Sequence, residues 1–234
     1  MALPVRPLPP SDVQSDAPTE TRPDARRELA RSLARRIRPP VLAADARLEV
    51  AGPLAPLVDG GLARGSTVAI QGIGATSLAL GVTAAAAVGG SWCVVVGLED
   101  LAPVAVLEAG MDPARVAFVD ARDSGRVAEV VGALVGAVDL VLVDARLPVR
   151  PVEVRRLGAR SRERGTVVVV VRPDGAGSCA PWSADLVLTV RAGAWNGPGR
   201  GEGHLRDREV EIEVDGRGRA ARSRRHVLAL PAKE

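Results

Sequence analysis

The chain has 234 residues, 47% of them hydrophobic, and a formal net charge of +3 with a pI of about 9.6. That length sustains one sizeable core, while 2% aromatic residues and no Tyr exclude a stacking platform for single-stranded nucleic acid. Cys93 and Cys179 have no metal-ligand spacing, and no apolar run approaches the roughly 20 residues that span a membrane.

Residues 1–22 are rich in Pro, Asp and Ser and read as a disordered tail without the apolar core of a signal peptide. A cytoplasmic protein is expected. Residues 23–234 read as one domain. A helix is predicted over 24–38, where Thr21-Arg22-Pro23-Asp24 supplies the start and Pro39-Pro40 the stop. Leu29, Leu33 and Ile37 make a narrow apolar stripe flanked by Arg26, Arg27, Arg31, Arg35, Arg36 and Arg38. The helix either docks on its own domain with a solvated Arg face or docks on a neighbour or nucleic acid. Residues 54–63, rich in Gly and Pro, read as a loop.

From residue 66 onward short apolar strands alternate with helices. Strands are predicted at 68–71, 93–98, 116–120, 139–144, 166–171 and 185–190, and helices at 75–88, 104–109, 126–137 and 152–164. The strand runs are continuously apolar, as in a parallel sheet covered on both faces. Cys93 lies inside one of them and reads as a small core residue. The tail of the chain differs. Residues 195–203 form a Gly- and Arg-rich loop, and 208–214 alternate strictly, with Val210, Ile212 and Val214 on one face and Glu209, Glu211 and Glu213 on the other. Asp215-Gly216-Arg217-Gly218 signals a hairpin; folding about Gly216-Arg217 sets Glu211 opposite Arg222 and Glu209 opposite Arg224.

The stretch Gly72-Ile73-Gly74-Ala75-Thr76-Ser77-Leu78, between a strand and a helix, occupies the place of a phosphate-binding loop. A working loop, Gly-x-x-x-x-Gly-Lys-Ser/Thr, wraps phosphates with backbone N–H groups, reaches them with Lys and holds Mg²⁺ with the hydroxyl. Here the Gly72–Gly74 segment is too short, Ala75 stands where Lys is needed, and Thr76 and Ser77 remain. The only Lys is Lys233. Glu99 and Asp144 end two strands, where carboxylates could polarise water and hold a hydrated metal; carboxylates are also common at exposed strand ends. His204 and His226 have no triad or metal partner in sequence, and Ser66, Ser77 and Ser178 lack a nucleophile elbow. The predicted helix at 152–164 carries Arg155, Arg156, Arg160, Arg162 and Arg164, either a solvated face or a phosphate contact.

The strand–turn–helix at Gly72, the strand ending at Glu99 and the strand ending at Asp144 resemble the RecA-like recombinase core. The resemblance is nearest to the actinobacterial ImuA-prime proteins of the SulA/ImuA group. It rests on Gly60-Gly61-Leu62, the turn at Gly72–Leu78, the Arg155–Gly165 segment, and Trp195 with its Gly/Arg loop. It implies an α/β RecA-like core, a mainly parallel sheet flanked by helices, with an antiparallel C-terminal extension. It implies an accessory factor of damage-induced mutagenesis, recruited to the nucleoid. The partner is then an ImuB-like homologue of Y-family polymerases and, indirectly, an error-prone DnaE-type polymerase. With the loop degenerate, no nucleotide cofactor and no turnover are expected, and Glu99 and Asp144 become vestigial. Binding is expected in the region 195–234 through Trp195, Arg200, Arg217, Arg219, Arg222, Arg224 and Arg225. The partner there is acidic protein or DNA, and Trp195 is an exposed anchor or a core residue. Deleting 195–234 is expected to abolish partner capture. Rival readings are a RecA/RadA-type ATPase acting on DNA and a SulA-like inhibitor of cell division.

Overall fold

The computed structural model describes residues 47–121, 125–173, 179–191, 193–197, 204, 206–216 and 223–230. The expected tail at 1–22, the helix at 24–38, and Arg200, Arg217, Arg219, Arg222 and Lys233 lie outside the described residues. The described residues belong to one compact unit, Ile37–Glu234.

The described chain opens with strand β1 (Arg47–Glu49), a 3-10 helix (Gly52–Val58) and strand β2 (Gly61–Ala63), with β1 and β2 paired antiparallel in a sheet of their own. This corrects the loop expected over 54–63. Pro53 and Pro56 suit the tight helix turns, and Leu54, Leu57 and Val58 are buried, which gives the segment a packing role its Gly and Pro content hides.

Strand β3 (Thr67–Gly72) leads into helix α1 (Ala75–Val88). The series continues with β4 (Cys93–Val96), α2 (Pro103–Glu108), β5 (Val116–Val119), α3 (Val127–Leu134), β6 (Leu140–Asp144), α4 (Pro151–Arg164), β7 (Val167–Arg172) and β8 (Leu186–Val190). Strands β9 (Trp195–Asn196), β10 (Asp207–Gly216) and β11 (Arg224–Leu230) complete it. The main sheet runs β11-β10-β8-β3-β7-β6-β4-β5, with β9 on β10. Pairings from β8 through β3 to β5 are parallel, and β10 is antiparallel to β8, β9 and β11.

Two cores sandwich this sheet. On one face Val68, Ile70, Leu142, Val169 and Leu188 meet α1, the 3-10 segment and α2. On the other, Ala69, Val94, Val143 and Val168 meet α3 and α4. Successive residues of one strand feed opposite cores, which is why the strands read as unbroken apolar runs. Helix α1 carries no charge and is buried along Ala75, Leu78, Ala79, Val82 and Ala86. Cys93 sits in the core, and burial pushes its thiol up to about 12.

The hairpin register differs from the expectation. Glu209 faces Ala229 and Glu211 faces Val227, while Glu213 faces Arg225 and Val214 faces Arg224. Glu209 was expected opposite Arg224, so the slip is five residues. An odd slip turns every β11 side chain to the other face: Arg224 and His226 share the face of Val214 and Ile212, and Val227 points out, 65% exposed. The cause is burial. Val210, Ile212 and Val214 are each at most 1% exposed, and Leu228 and Leu230 must lie on their side. The same burial makes deletion of 195–234 a deletion of core, so point substitutions are the proper probe of that surface.

Candidate functional site

The turn between β3 and α1 is set by packing. Gly72 has φ +104, and a Cβ there would lie 2.1 Å from the Val190 carbonyl oxygen, so β8 demands glycine. Gly74, φ +100, caps α1, and its α-carbon faces the guanidinium of Arg208, 3.2 Å from where a Cβ would be. That guanidinium donates a hydrogen bond to the Ile73 carbonyl. It also lies 5.8 Å from the ring centroid of Trp195, and Arg208 is only 8% exposed.

Arg208 is therefore the side chain that closes the turn. It reaches it because β10 lies beside β8 and because Arg208 is in phase with Val210, Ile212 and Val214. The carbonyl and the aromatic face compensate its desolvation. Thr76 is half-buried and Ser77 exposed on the first turn of α1. The backbone between Gly72 and Gly74 consists of Ile73 alone, and its carbonyl is engaged by Arg208.

Asp144 ends β6 almost fully buried. Both carboxylate oxygens accept from Arg146: Oδ1 from its backbone N–H at 2.7 Å and from Nε at 3.1 Å, Oδ2 from Nε at 2.9 Å and Nη2 at 2.6 Å. A forked, charge-assisted pair of this kind is among the stronger polar contacts. Arg146 also lies 3.9 Å from Asp100. Glu99 is exposed just beyond β4, on the rim of a cavity of about 280 Å³ lined by Gly97, Leu98, Leu101, Phe118 and Asp120 among others. Among the described residues no group of three His, Cys, Asp or Glu could hold a metal ion.

The C-terminal candidates spread out. Trp195 is 54% exposed, with one side of its ring toward Arg208. Arg224 is tied to Asp59 at 2.8 Å, and Arg225 is exposed, 3.4 Å from Glu211. The Arg191 guanidinium holds the Glu213 carboxylate at 2.6 Å, and that hydrogen bond draws the Glu213 carboxyl below its usual range.

Sequence reading missed Arg208 and Arg146. The signal for Arg208 was its parity on β10, where it alternates inward with the valines. For Arg146 it was the spacing of two from a strand-end Asp.

Among solved structures the fold resembles the one described as the crystal structure of the RadB recombinase. The TM-score is 0.55 and the identity 16%, over 77% of this chain and 94% of that one. At that identity the likeness shows the fold alone: a mainly parallel, RecA-like sheet with antiparallel strands at its C-terminal side. Comparison with curated proteins gives no match. No described helix is long and apolar enough to cross a membrane. A sequence profile described as the MT3502 N-terminal domain matches residues 55–177, from the 3-10 segment past β7. That stretch is more than half of the 234 residues and holds the Gly72 turn and the Asp144–Arg146 pair, and the chain belongs to this family of MT3502 N-terminal domains.

Proposed function

We propose that the protein is a RecA-like accessory factor of DNA-damage-induced mutagenesis, of the ImuA-prime kind, that works by binding and not by turning over nucleotide. Its partner is an ImuB-like homologue of Y-family polymerases, and through it an error-prone DnaE-type polymerase. One observation carries the reading: the two positions that nucleotide chemistry needs are both held by arginines of the same chain. Arg208 engages the turn at Ile73, and Arg146 engages both oxygens of Asp144. A phosphate cradle needs backbone donors and a cation aimed at the β/γ oxygens, and this turn spends its cation on its own carbonyl. The likeness to a recombinase fold fits a place in DNA repair. The partner surface would centre on the exposed Trp195 ring and the outer face of β11, where Val227 is exposed beside the surface pair of Arg225 and Glu211. An aromatic flanked by Arg is a common interface anchor.

Calorimetric titration with MgATP, beside a steady-state hydrolysis assay, tests the first half. No heat at millimolar nucleotide supports the proposal; tight binding with turnover returns the ATPase reading. Capture with Trp195→Ala and Val227→Glu tests the second half. Loss of a polymerase-like bait from folded variants supports it, and capture of a division-ring protein instead favours the SulA-like reading.

A further inference from the structure

Helix α4 buries Val154, Leu157 and Ser161 against the sheet. Five of its nine exposed residues are arginine, beside Pro151, Val152, Ala159 and Glu163. Arg155, Arg156, Arg160 and Arg162 are exposed and form no ion pair among the described residues. The two acids of the helix are already engaged, Glu153 by Arg150 at 2.6 Å and Glu163 by Arg164 at 3.9 Å. Arg156, Arg160 and Arg164 stand four residues apart, one above the other, and together with Ala159 and Glu163 line a shallow basin of about 450 Å³. Arg155 and Arg162, seven apart, form a second row on the flank.

Beyond the attraction between Glu153 and Arg156, the helix gains little from this row by itself. Like charges four residues apart repel. The helix dipole rewards cations only in the last turn, which accounts for Arg162 and Arg164 but not for Arg155, Arg156 or Arg160. We infer that the α4 face formed by Arg155, Arg156, Arg160, Arg162 and Arg164 binds the sugar-phosphate backbone of a nucleic acid duplex without reading its sequence.

Two observations select that ligand over an acidic protein. A protein interface needs an apolar or aromatic centre, and the exposed apolar side chains of α4 are Ala159 between the arginines and Pro151 and Val152 at its N-terminal end, so that the middle of the arginine face has no large apolar side chain. Backbone binding needs charge alone, and Arg forks suit phosphate oxygens. The lack of aromatic side chains on α4 also argues against single strands, which bind by stacking. This inference stands apart from the partner surface at Trp195 and β11 and does not depend on it.

The test is fluorescence anisotropy of a labelled 20-base-pair DNA duplex with the full chain across a salt series. With four or five phosphates neutralised, the log–log salt slope should be about −4. Arg156→Gln/Arg160→Gln should lower affinity at least tenfold at low salt and cut the slope by about 2. Arg156→Glu/Arg160→Glu should abolish binding, both variants keeping the wild-type circular dichroism and melting temperature. Polymerase-like capture, measured on the same variants, should be unchanged, so that failure here and failure of the proposed function read differently. Unchanged affinity in either folded variant overturns the inference. So does absence of binding by the wild type at low salt, or binding of polyglutamate or single-stranded DNA as tightly as the duplex.

Discussion

The parallel half of the sheet and its antiparallel C-terminal ribbon share a plane but obey different constraints. From β3 to β4 the strands feed two cores, and nearly every side chain is buried, with β8 beside them partly so. In β10 and β11 only one face is apolar, and the other carries Glu209, Glu211 and Glu213 with Arg225 and Val227. The parallel half makes the fold. The ribbon uses its inner face to deliver Arg208 to the turn and leaves its outer face to solvent-exposed charged pairs and Val227. In the first region the Gly72 turn is closed from outside by Arg208 of the ribbon, and Asp144 by its own near neighbour Arg146.

Breaking the parallel half should cost most. Gly72→Ala places a Cβ against the Val190 carbonyl at a φ that L-residues avoid, and should destabilise by about 3–4 kcal/mol. Val227→Ala on the ribbon should change stability by less than about 0.5 kcal/mol; urea unfolding of the two variants compares them directly. Equal losses would dissolve the distinction. Next, Arg146→Ala leaves Asp144 buried without its fork and should cost about 2 kcal/mol. Adding Asp144→Asn should recover part of that loss in the same assay, since the stranded charge is gone.

Arg208→Ala should cost about 1–2 kcal/mol through the lost carbonyl bond and ring contact, and it should shift the fluorescence emission of Trp195. An unchanged emission would mean that the ribbon does not hold the turn. The smallest effect is Glu213→Gln. The Glu213 carboxyl is lowered in the fold by Arg191, so its contribution is present above the ordinary value near 4.5 and fades as pH falls through the lowered value. The variant should therefore differ slightly from wild type at neutral pH and converge with it in acid melts.

The same contrast decides what the sequence could tell. Helix α1 has the bounds predicted for it, 75–88, and β3 and β6 lie within one residue of prediction at each end. Burial on both faces writes itself as an unbroken apolar run, and Gly74 marks the helix start. The ribbon was harder. A turn signal at Gly216-Arg217 gave one register, but burial of Leu228 and Leu230 beside Val210 and Ile212 chose another, and short-range turn chemistry cannot report that competition. The 3-10 helix was hidden because Pro53 and Pro56 look like breakers even where Leu54 and Leu57 pack beneath α1. At the site, the short turn and the missing Lys were legible. The arginines that complete it were not: Ile73 is brought to Arg208 only by the sheet order, and Arg146, although two residues from Asp144, needs the chain to turn back after β6 before its fork meets the carboxylate.

That sheet order also governs how the chain emerges from the ribosome. Strand β3 is made early, yet both of its neighbours come late: Val68 pairs with Val169 and with Leu186, and the Thr67 amide waits for Asp185, 118 residues downstream. At a synthesis rate of about 5–20 residues per second the strand and the uncharged helix α1 stay without their sheet partners for roughly 5–25 s. During that interval the nascent protein presents an apolar strand edge and an apolar helix together, surfaces of the kind that make incompletely folded chains prone to aggregation.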